Sequence, residues 1–578
     1  MTIHSYLFEA KSIQSYILDS GKLRDLVGAS ELVDALCGKP LTDALAACGL
    51  IQCELPSRGD FDESTIGERI AFSRRAGGAF YAFSGSAKSV ARLAAFWPLV
   101  VQQYAPGLDF DHGRGKGKDA LAAFEDGSPS LRRAHSRVLI EFPQAGPLTH
   151  RSQRTGRPAI QLSRTPDRGW EPLDTRTVRQ RQGVALHGLA TKLGPLGSGL
   201  LAEHWPRNLD AREADERQLS GAFPFEGDDR SIAVVHADGN RLGQLLMDLE
   251  QHIRQDERRR GAYLSAFSQA SVGIQSATER AAQRAVELQL LPHRNQTTGM
   301  LPARAVLLGG DDLTIIVRAD LALPFTRTFL AAFEDETAQP MGELRARGMT
   351  RVPERLTACA GIAYIKASQP FYLGAHLAEG ITSAAKRQAK RLGQEIPPST
   401  LAWHRVTTAM IDNYAQALKQ ELTIGPADAR YRNTLGAYAI TADREDAGRG
   451  ADYLPNLDDL LALQRLLNQP EMARGPTRQL LTLLGQSPEQ ARTHYKRWSA
   501  LMREPTNGKA DVMKEYERLL TRLIGSASES LPYRSAQEDE TDAHHVGPLG
   551  DLHALIAVKN RIDPGLDPRI GTLLEDQS

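Results

Sequence analysis

The sequence predicts an α+β protein, with two sheet-and-helix units of the split βαβ plan joined by a polar connector and followed by a helical region. Three observations lead there. Apolar runs of strand length alternate with helical periodicity before residue 110 and again from 231 to 392. Each of those stretches contains a Gly-Gly hairpin, Gly77-Gly78 or Gly309-Gly310. Beyond Thr400 the apolar spacing is helical almost throughout.

The first unit opens with a strand over Ser5 to Glu9, then a helix over Ile13 to Ser20 with Ile13, Tyr16 and Ile17 on one face, ended by Gly21. A second helix is expected from Ala29 to Ala47, where Leu32, Val33, Leu36 and Cys37 recur at helical spacing. Ala71 to Phe83 reads as two strands around Gly77-Gly78, followed by an apolar helix from Ala87 to Tyr104. From Asp109 to Glu226 the pattern dissolves into Gly, Pro, Arg and Ser. Residues 111–190 hold fourteen Lys+Arg against eight Asp+Glu, a net of +6. This predicts a solvated connector, or a surface that meets RNA, DNA or an acidic partner. Its run Gly113-Arg114-Gly115-Lys116-Gly117-Lys118 lacks the spacing of a phosphate-binding P-loop.

The second unit begins at the strand Ser231 to Ala237, which runs into Asp238-Gly239-Asn240. A long helix (Leu264 to Leu291) precedes two strands, Ala303 to Leu308 and Leu313 to Val317, joined by Gly309-Gly310-Asp311-Asp312. A helix over Pro324 to Phe333, a strand over Leu356 to Ile365 and a helix over Tyr372 to Leu392 complete it. Beyond it, Leu454 to Leu467, Thr477 to Leu484, Pro488 to Leu501 and Ala510 to Leu523 are the clearest helices, and Ser526 to Gly547 reads as a mobile polar loop before Leu549 to Ile562.

The chain has 578 residues, 70 Lys+Arg and 70 Asp+Glu, so nothing marks it as a protein that chiefly coats nucleic acid. Its four cysteines form no C-x-x-C pair, which argues against a disulfide framework and a four-thiolate zinc site. The N-terminus lacks a signal-peptide pattern and no apolar run reaches 18 residues, so a cytoplasmic location without membrane contact is expected.

Two acidic points carry chemistry, because each sits where a strand ends and a glycine lets backbone approach a ligand. In a split βαβ sheet the end of the first strand lies beside the hairpin that joins the next two, so Asp238 and Asp311-Asp312 converge from seventy residues apart. Converged carboxylates hold a hard divalent ion, Mg²⁺ or Mn²⁺, which supports phosphoryl transfer. An isolated Gly-Gly-Asp-Asp is an ordinary turn with two solvated aspartates; the flanking strands, the upstream Asp238 and the helix bearing Lys386 favour the metal site. His544-His545 with Asp542 and His553 lacks recurrent ligand spacing and reads as a polar mobile segment. His236 reads as packing, Cys359 as a small buried residue, and Lys386 to Arg391 as a solvated helix face or as phosphate contacts.

Asp238-Gly239-Asn240-Arg241-Leu242-Gly243, Gly309-Gly310-Asp311-Asp312, Leu356-Thr357 with Ala360-Gly361-Ile362, and Ala378-Glu379 with Ala385-Lys386 resemble the second palm domain of the large, polymerase-like subunit of type III CRISPR effector complexes, itself similar to GGDEF nucleotide cyclases. Ile13 to Ile17 and Lys22 to Ser30 resemble the opening of that family's first palm. The resemblance implies two ferredoxin-like palms: a degenerate one over 1–140, a connector over 141–225, a catalytic palm over 226–400 and a helical domain over 401–578. It implies that ATP is polymerised and cyclised into oligoadenylate messengers in response to RNA. Asp238 with Asp311 or Asp312 would hold two metal ions, Gly239, Gly309 and Gly310 would admit the nucleotide, Lys386 would contact the triphosphate, and Asn240 the base or ribose. Guide or target RNA and other effector subunits, including a small helical one, would be partners. The first hairpin, Gly77-Gly78-Ala79-Phe80, has no carboxylate, so its palm would be silent.

The sequence departs from many members of that family. None of its fifteen histidines is followed by Asp, so no HD nuclease activity is expected, and no cysteine cluster lies between the units. A stand-alone defence module, a cyclic dinucleotide synthase of GGDEF type and a non-catalytic scaffold subunit of an RNA-guided ribonucleoprotein are the alternatives.

Overall fold

The computed structural model describes residues 2–18, 22–57, 59–135, 146, 148–165, 169–209, 221–226, 230–255, 262–407, 413–427, 429–440, 454–469, 472, 474–504, 509–525, 531–536 and 544–559. In the N-terminal unit β1 (Ile3–Lys11), β2 (Ala71–Ala76), β3 (Ala79–Ser84) and β4 (Asp109–Gly117) form a sheet of order β2-β3-β1-β4. Helices α1 (Ile13–Leu18), α2 (Leu23–Leu36), α3 (Lys39–Ala47), α4 (Ala87–Tyr104) and α5 (Ala120–His135) accompany it. The single helix expected over Ala29 to Ala47 is two, α2 and α3. Gly38 leaves helical geometry, and Pro40, without an N–H, suits only the first turn of the restart.

The connector expected from Asp109 is replaced at its start by β4 and α5. Strand β4 pairs with β1 along its whole length, from Ile3 opposite Gly117 to Lys11 opposite Asp109. Gly113, Gly115 and Gly117 recur with strand period against α5, where a Cβ on Gly115 would lie 2.2 Å from the Ala123 carbonyl oxygen. These glycines serve close strand–helix packing. A two-stranded ribbon, β5 (Ala159–Thr165) and β6 (Gly169–Asp174), then leads to α6 (Thr175–Gly183) and α7 (Gly188–Leu193).

The second unit comprises β7 (Ser231–Gly239), α8 (Leu242–Gln255), α9 (Tyr263–Gln289), β8 (Ala303–Gly309), β9 (Asp312–Arg318), α10 (Ala319–Ala346), β10 (Ala358–Lys366), α11 (Phe371–Arg391) and β11 (Thr400–Arg405). With the short edge strand β14 (Tyr438–Ala439) the sheet has the order β14-β11-β10-β7-β9-β8. Strand β7 is central and buried on both sides: Ala233, Val235 and Ala237 enter one core, Ile232 and Val234 the other. The sequence reading missed α8 and took α10 as shorter than it is.

The region after Thr400 is not purely helical. It holds α12 (Tyr414–Gln420), α13 (Leu457–Leu467), α14 (Arg474–Gln486), α15 (Pro488–Met502), α16 (Lys509–Ile524) and α17 (Leu549–Lys559). It also holds a small sheet of order β12-β13-β16-β15, from Thr423–Ile424, Tyr431–Arg432, His545–Val546 and Arg534–Ser535. Two-residue strands leave no periodic signal. The described ends of the loop expected over Ser526 to Gly547 are therefore strands; its middle, with Asp542, lies outside the described residues. The His545 ring stacks on Tyr431 at 4.7 Å, and His544 Nδ1 accepts the Arg430 N–H at 3.0 Å, so both histidines have structural partners.

The two units trade the same contact. Helix α2 of the first packs on β8 of the second, and α9 of the second packs on β2 of the first. The Ser30 hydroxyl donates to the Val306 carbonyl across this seam, and the Gly77 Cα lies 3.7 Å from the place a Cβ on Gly309 would take.

Close packing of α11 on β10 gives a test. A methyl on Gly361 would sit 2.3 Å from the Ala378 carbonyl oxygen and 2.7 Å from the Thr382 nitrogen. Gly361→Ala should lower stability by about 1–3 kcal/mol, read as an earlier urea midpoint. An unchanged midpoint would contradict that packing.

Candidate active site

Strand register assembles the site. Strand β9 runs antiparallel to β7 with Leu313 opposite Ala237, which places the β8–β9 turn beside the end of β7. On the other side of β7, Asp238 is opposite Cys359 of β10. One oxygen from each of Asp238, Asp311 and Asp312 then falls within 4.8 Å of the others, the convergence expected from the sequence. Among the described residues no other cluster of potential metal-binding side chains forms.

The glycines make this possible in different ways. A Cβ on Gly239 would lie 2.5 Å from Asp311 Oδ2, so Gly239 makes room for a carboxylate. Gly310 has φ +63°, the left-handed geometry the turn requires, and its carbonyl accepts the Thr278 hydroxyl at 2.7 Å. Gly309 faces Gly77 across the seam.

Lys386, on α11, pairs with Asp238 and donates to the Gly239 carbonyl at 2.7 Å. Its ammonium thus sits against the carboxylates. Asn240 does not offer a free amide: its Nδ2 donates to Thr357 Oγ1 at 3.0 Å, its Oδ1 accepts from the Cys359 thiol at 3.2 Å, and its side chain is buried. That arrangement ties the strand end to the Leu356-Thr357 segment. His236 is likewise internal, sharing a 2.9 Å hydrogen bond with Thr314, and burial holds its imidazole below the usual range.

The sequence reading missed Arg241. It has φ +61°, uncommon for a non-glycine residue, and leads directly into α8. Leu242, Leu245, Leu246, Leu249 and Ile253 have the spacing that could have revealed this helix. Arg241, Gly243, Lys386 and Lys390 join Asp238 and Asp311 around a cleft of about 610 Å³. One wall is acidic. The other combines cations with the exposed N–H groups that open a helix, a setting suited to phosphate.

Electrostatics sharpen this reading. Burial, then the neighbouring Asp238, pushes the Asp311 carboxyl up to about 6. Burial, then Asp311 and Asp238, raises Asp312 well above the carboxylate range. Three crowded carboxylates beside one lysine are short of positive charge, and hard oxygen donors at this separation fit Mg²⁺ or Mn²⁺. The second hairpin differs from the first, where Ala79 and Phe80 are buried and Phe80 stacks with Phe8 at 5.3 Å.

Residues 231–393 match the model of the Cas10/Cmr2 second palm domain. Over those residues the second unit is similar to a palm of that family, in line with the resemblance carried by its sequence motifs. The fold is similar to the Csm1-Csm4 cassette in complex with cA4, at 13% identity and TM-score 0.42 over 97% of this chain and 70% of that one. The cassette in complex with pppApA gives 12% identity and TM-score 0.43 over 97% and 69%. Csm1 in T. onnurineus gives 14% and 0.40 over 96% and 69%. No curated protein matches the chain. Among the described residues no helix is long and apolar enough to cross a membrane.

The raised carboxyl gives a prediction with a definite sign. The folded state holds the Asp311 proton more tightly than the unfolded chain does. Metal-free protein should therefore lose stability as pH rises from the ordinary carboxylate value of about 4 through about 6. Asp311→Asn should raise the Tm of metal-free protein near pH 8, with a smaller effect at about pH 4. Equal shifts at both pH values would show that charge crowding does not govern this site.

Proposed function

We propose that this chain is a metal-dependent nucleotidyltransferase that polymerises and cyclises ATP into oligoadenylate messengers in antiviral defence, activated by guide-bound target RNA. The convergence of Asp238, Asp311 and Asp312 beside Lys386 and the opening of α8 carries the reading. In this proposal residues 226–400 form the catalytic palm and 1–140 a degenerate palm that completes the pocket. Residues 141–225 connect them, and 401–578 dock other effector subunits, among them a small helical one. The protein would act in the cytoplasm.

The carboxylates would hold Mg²⁺ or Mn²⁺, which when bound neutralises triphosphate charge and lowers the pKa of an attacking ribose hydroxyl. The chain's own part is positioning. Lys386, already beside Asp238, would contact the triphosphate, and Arg241, Lys390 and the first N–H groups of α8 would cradle its oxygens. Gly309 and Gly310 would let a nucleotide approach the turn without meeting a side chain.

The test is incubation of purified protein with labelled ATP or GTP, Mg²⁺ or Mn²⁺, with and without RNA, and product analysis by mass spectrometry. Oligoadenylates are expected, reduced at least about a hundredfold in the Asp311→Ala/Asp312→Ala double variant, which should melt no earlier than the wild type. Equal product from the double variant would remove the site assignment. Cyclic products from GTP alone would favour the dinucleotide synthase, and nucleotide bound but never converted would favour a scaffold.

A further inference from the structure

The β5–β6 ribbon lies in the basic stretch of the connector, and among the described residues neither of its edges pairs with a further strand. Its two ends differ. Pro172, Leu173 and Asp174 are buried, and Asp174 accepts the Thr177 N–H of α6 at 3.1 Å and the Thr155 hydroxyl at 2.7 Å. The other end projects. Trp170 is 66% exposed and Leu162 55%, and Ile160, at the register shift in β5, is 61% exposed. The chain has five tryptophans, and the other four, Trp97, Trp205, Trp403 and Trp498, are buried. Apolar surface gathered on a projecting, two-edged ribbon marks a place of contact.

Register sorts the ribbon's charges. Arg164 is opposite Trp170 and Leu162 opposite Pro172, whereas Ser163 is opposite Glu171. Strand alternation therefore puts Leu162, Arg164 and Trp170 on one face and Glu171 on the other. There Glu171 is held by Arg154 and by Arg181, each at 3.0 Å. Arg164 is exposed and forms no ion pair among the described residues, and Trp170 meets no other ring or cation there. Both described carboxylates of the ribbon are thus engaged elsewhere, Glu171 by arginines and Asp174 by the start of α6. The Trp170 face is left with a guanidinium, an indole and aliphatic side chains, and with no acidic group.

We propose that this face of the β5–β6 ribbon binds single-stranded RNA, with Trp170 stacking on an unpaired base and Arg164 contacting an adjoining phosphate. An indole stacks on any base, a guanidinium matches phosphate oxygens with paired N–H donors, and the net charge of +6 over residues 111–190 attracts a polyanion. An acidic protein segment would answer the charge but not the flat, exposed indole. A duplex keeps its bases stacked on one another and offers Trp170 none. From the functional reading above the inference takes only that RNA is a partner; it requires neither the metal site nor catalysis.

The experiment titrates the full chain, freed of nucleic acid and without ATP, against a labelled oligouridylate of about twelve nucleotides. Anisotropy and tryptophan emission are followed for the wild type, Trp170→Ala, Trp170→Phe and Arg164→Gln, beside their melting curves. RNA should quench the emission of the one exposed tryptophan in the wild type. Trp170→Ala should weaken binding about ten- to a hundredfold, and Trp170→Phe should recover part of the affinity without the quenching. Arg164→Gln should lower the slope of log K against log salt by about 0.7. Trp170→Phe and Arg164→Gln decide the matter where Trp170→Ala melts early. Binding unchanged in all three variants would overturn the role of the ribbon and leave RNA activation standing, whereas a wild type that binds no RNA would overturn both. Displacement by polyglutamate as readily as by unlabelled RNA would give the face to an acidic protein segment instead. Equal competition by duplex RNA or by single-stranded DNA would overturn the assignment to single-stranded RNA.

Discussion

Three carboxylates confined within 4.8 Å set the terms for the second unit. At an effective dielectric of about 20, each pair of full charges at that separation repels by roughly 3 kcal/mol. The fold answers in several places. The β7–β9 register brings the groups together, Gly239 gives up a side chain to admit Asp311, and Thr278 of α9 holds the turn by the Gly310 carbonyl. Lys386 supplies one positive charge. The residual negative charge suits the cluster to a divalent cation.

The first unit shows the same scaffold without that burden. Where the second hairpin carries Asp311 and Asp312, the first carries Ala79 and Phe80, and Phe80 lies in an aromatic cluster with Phe8, Phe72, Trp97 and Tyr6. Charge repulsion is exchanged for buried aromatic area, so this hairpin adds to stability where its counterpart draws on it. The reciprocal packing of α2 on β8 and α9 on β2 gives the strained unit a firm neighbour.

Much of the site was legible because its signals are local: apolar strands on both sides of Gly309-Gly310-Asp311-Asp312 and a strand that ends in Asp238 leave few arrangements. What escaped was non-local. Gly113, Gly115 and Gly117 look like linker composition, and only the presence of α5 across the sheet explains them. Nothing within Thr423–Ile424 or His545–Val546 reveals a sheet assembled from segments more than a hundred residues apart. Asn240 was assigned to a ligand because it follows Asp238-Gly239, whereas Thr357 and Cys359 occupy its amide.

The C-terminal region is joined to this site through α11. Gln388, two residues from Lys386, donates to the Leu435 carbonyl at 3.1 Å and accepts the Ala437 N–H at 2.9 Å. The same segment is held from beneath by Asp551 of α17, which accepts from the Leu435 N–H at 3.0 Å and the Tyr438 hydroxyl at 2.6 Å. Burial pushes the Asp551 carboxyl up to about 7, so the two hydrogen bonds are its main compensation for lost water. Packed interiors shift in steps rather than deform smoothly, and Gln388 and Lys386 lie within one turn of α11, on different faces of the same helix. A displacement of the Leu435–Tyr438 segment therefore bears on Lys386 and, through it, on Asp238. The acidic cluster is thus held from two directions, by the first unit at the Gly77–Gly309 contact and by the C-terminal region along α11, and its geometry depends on both.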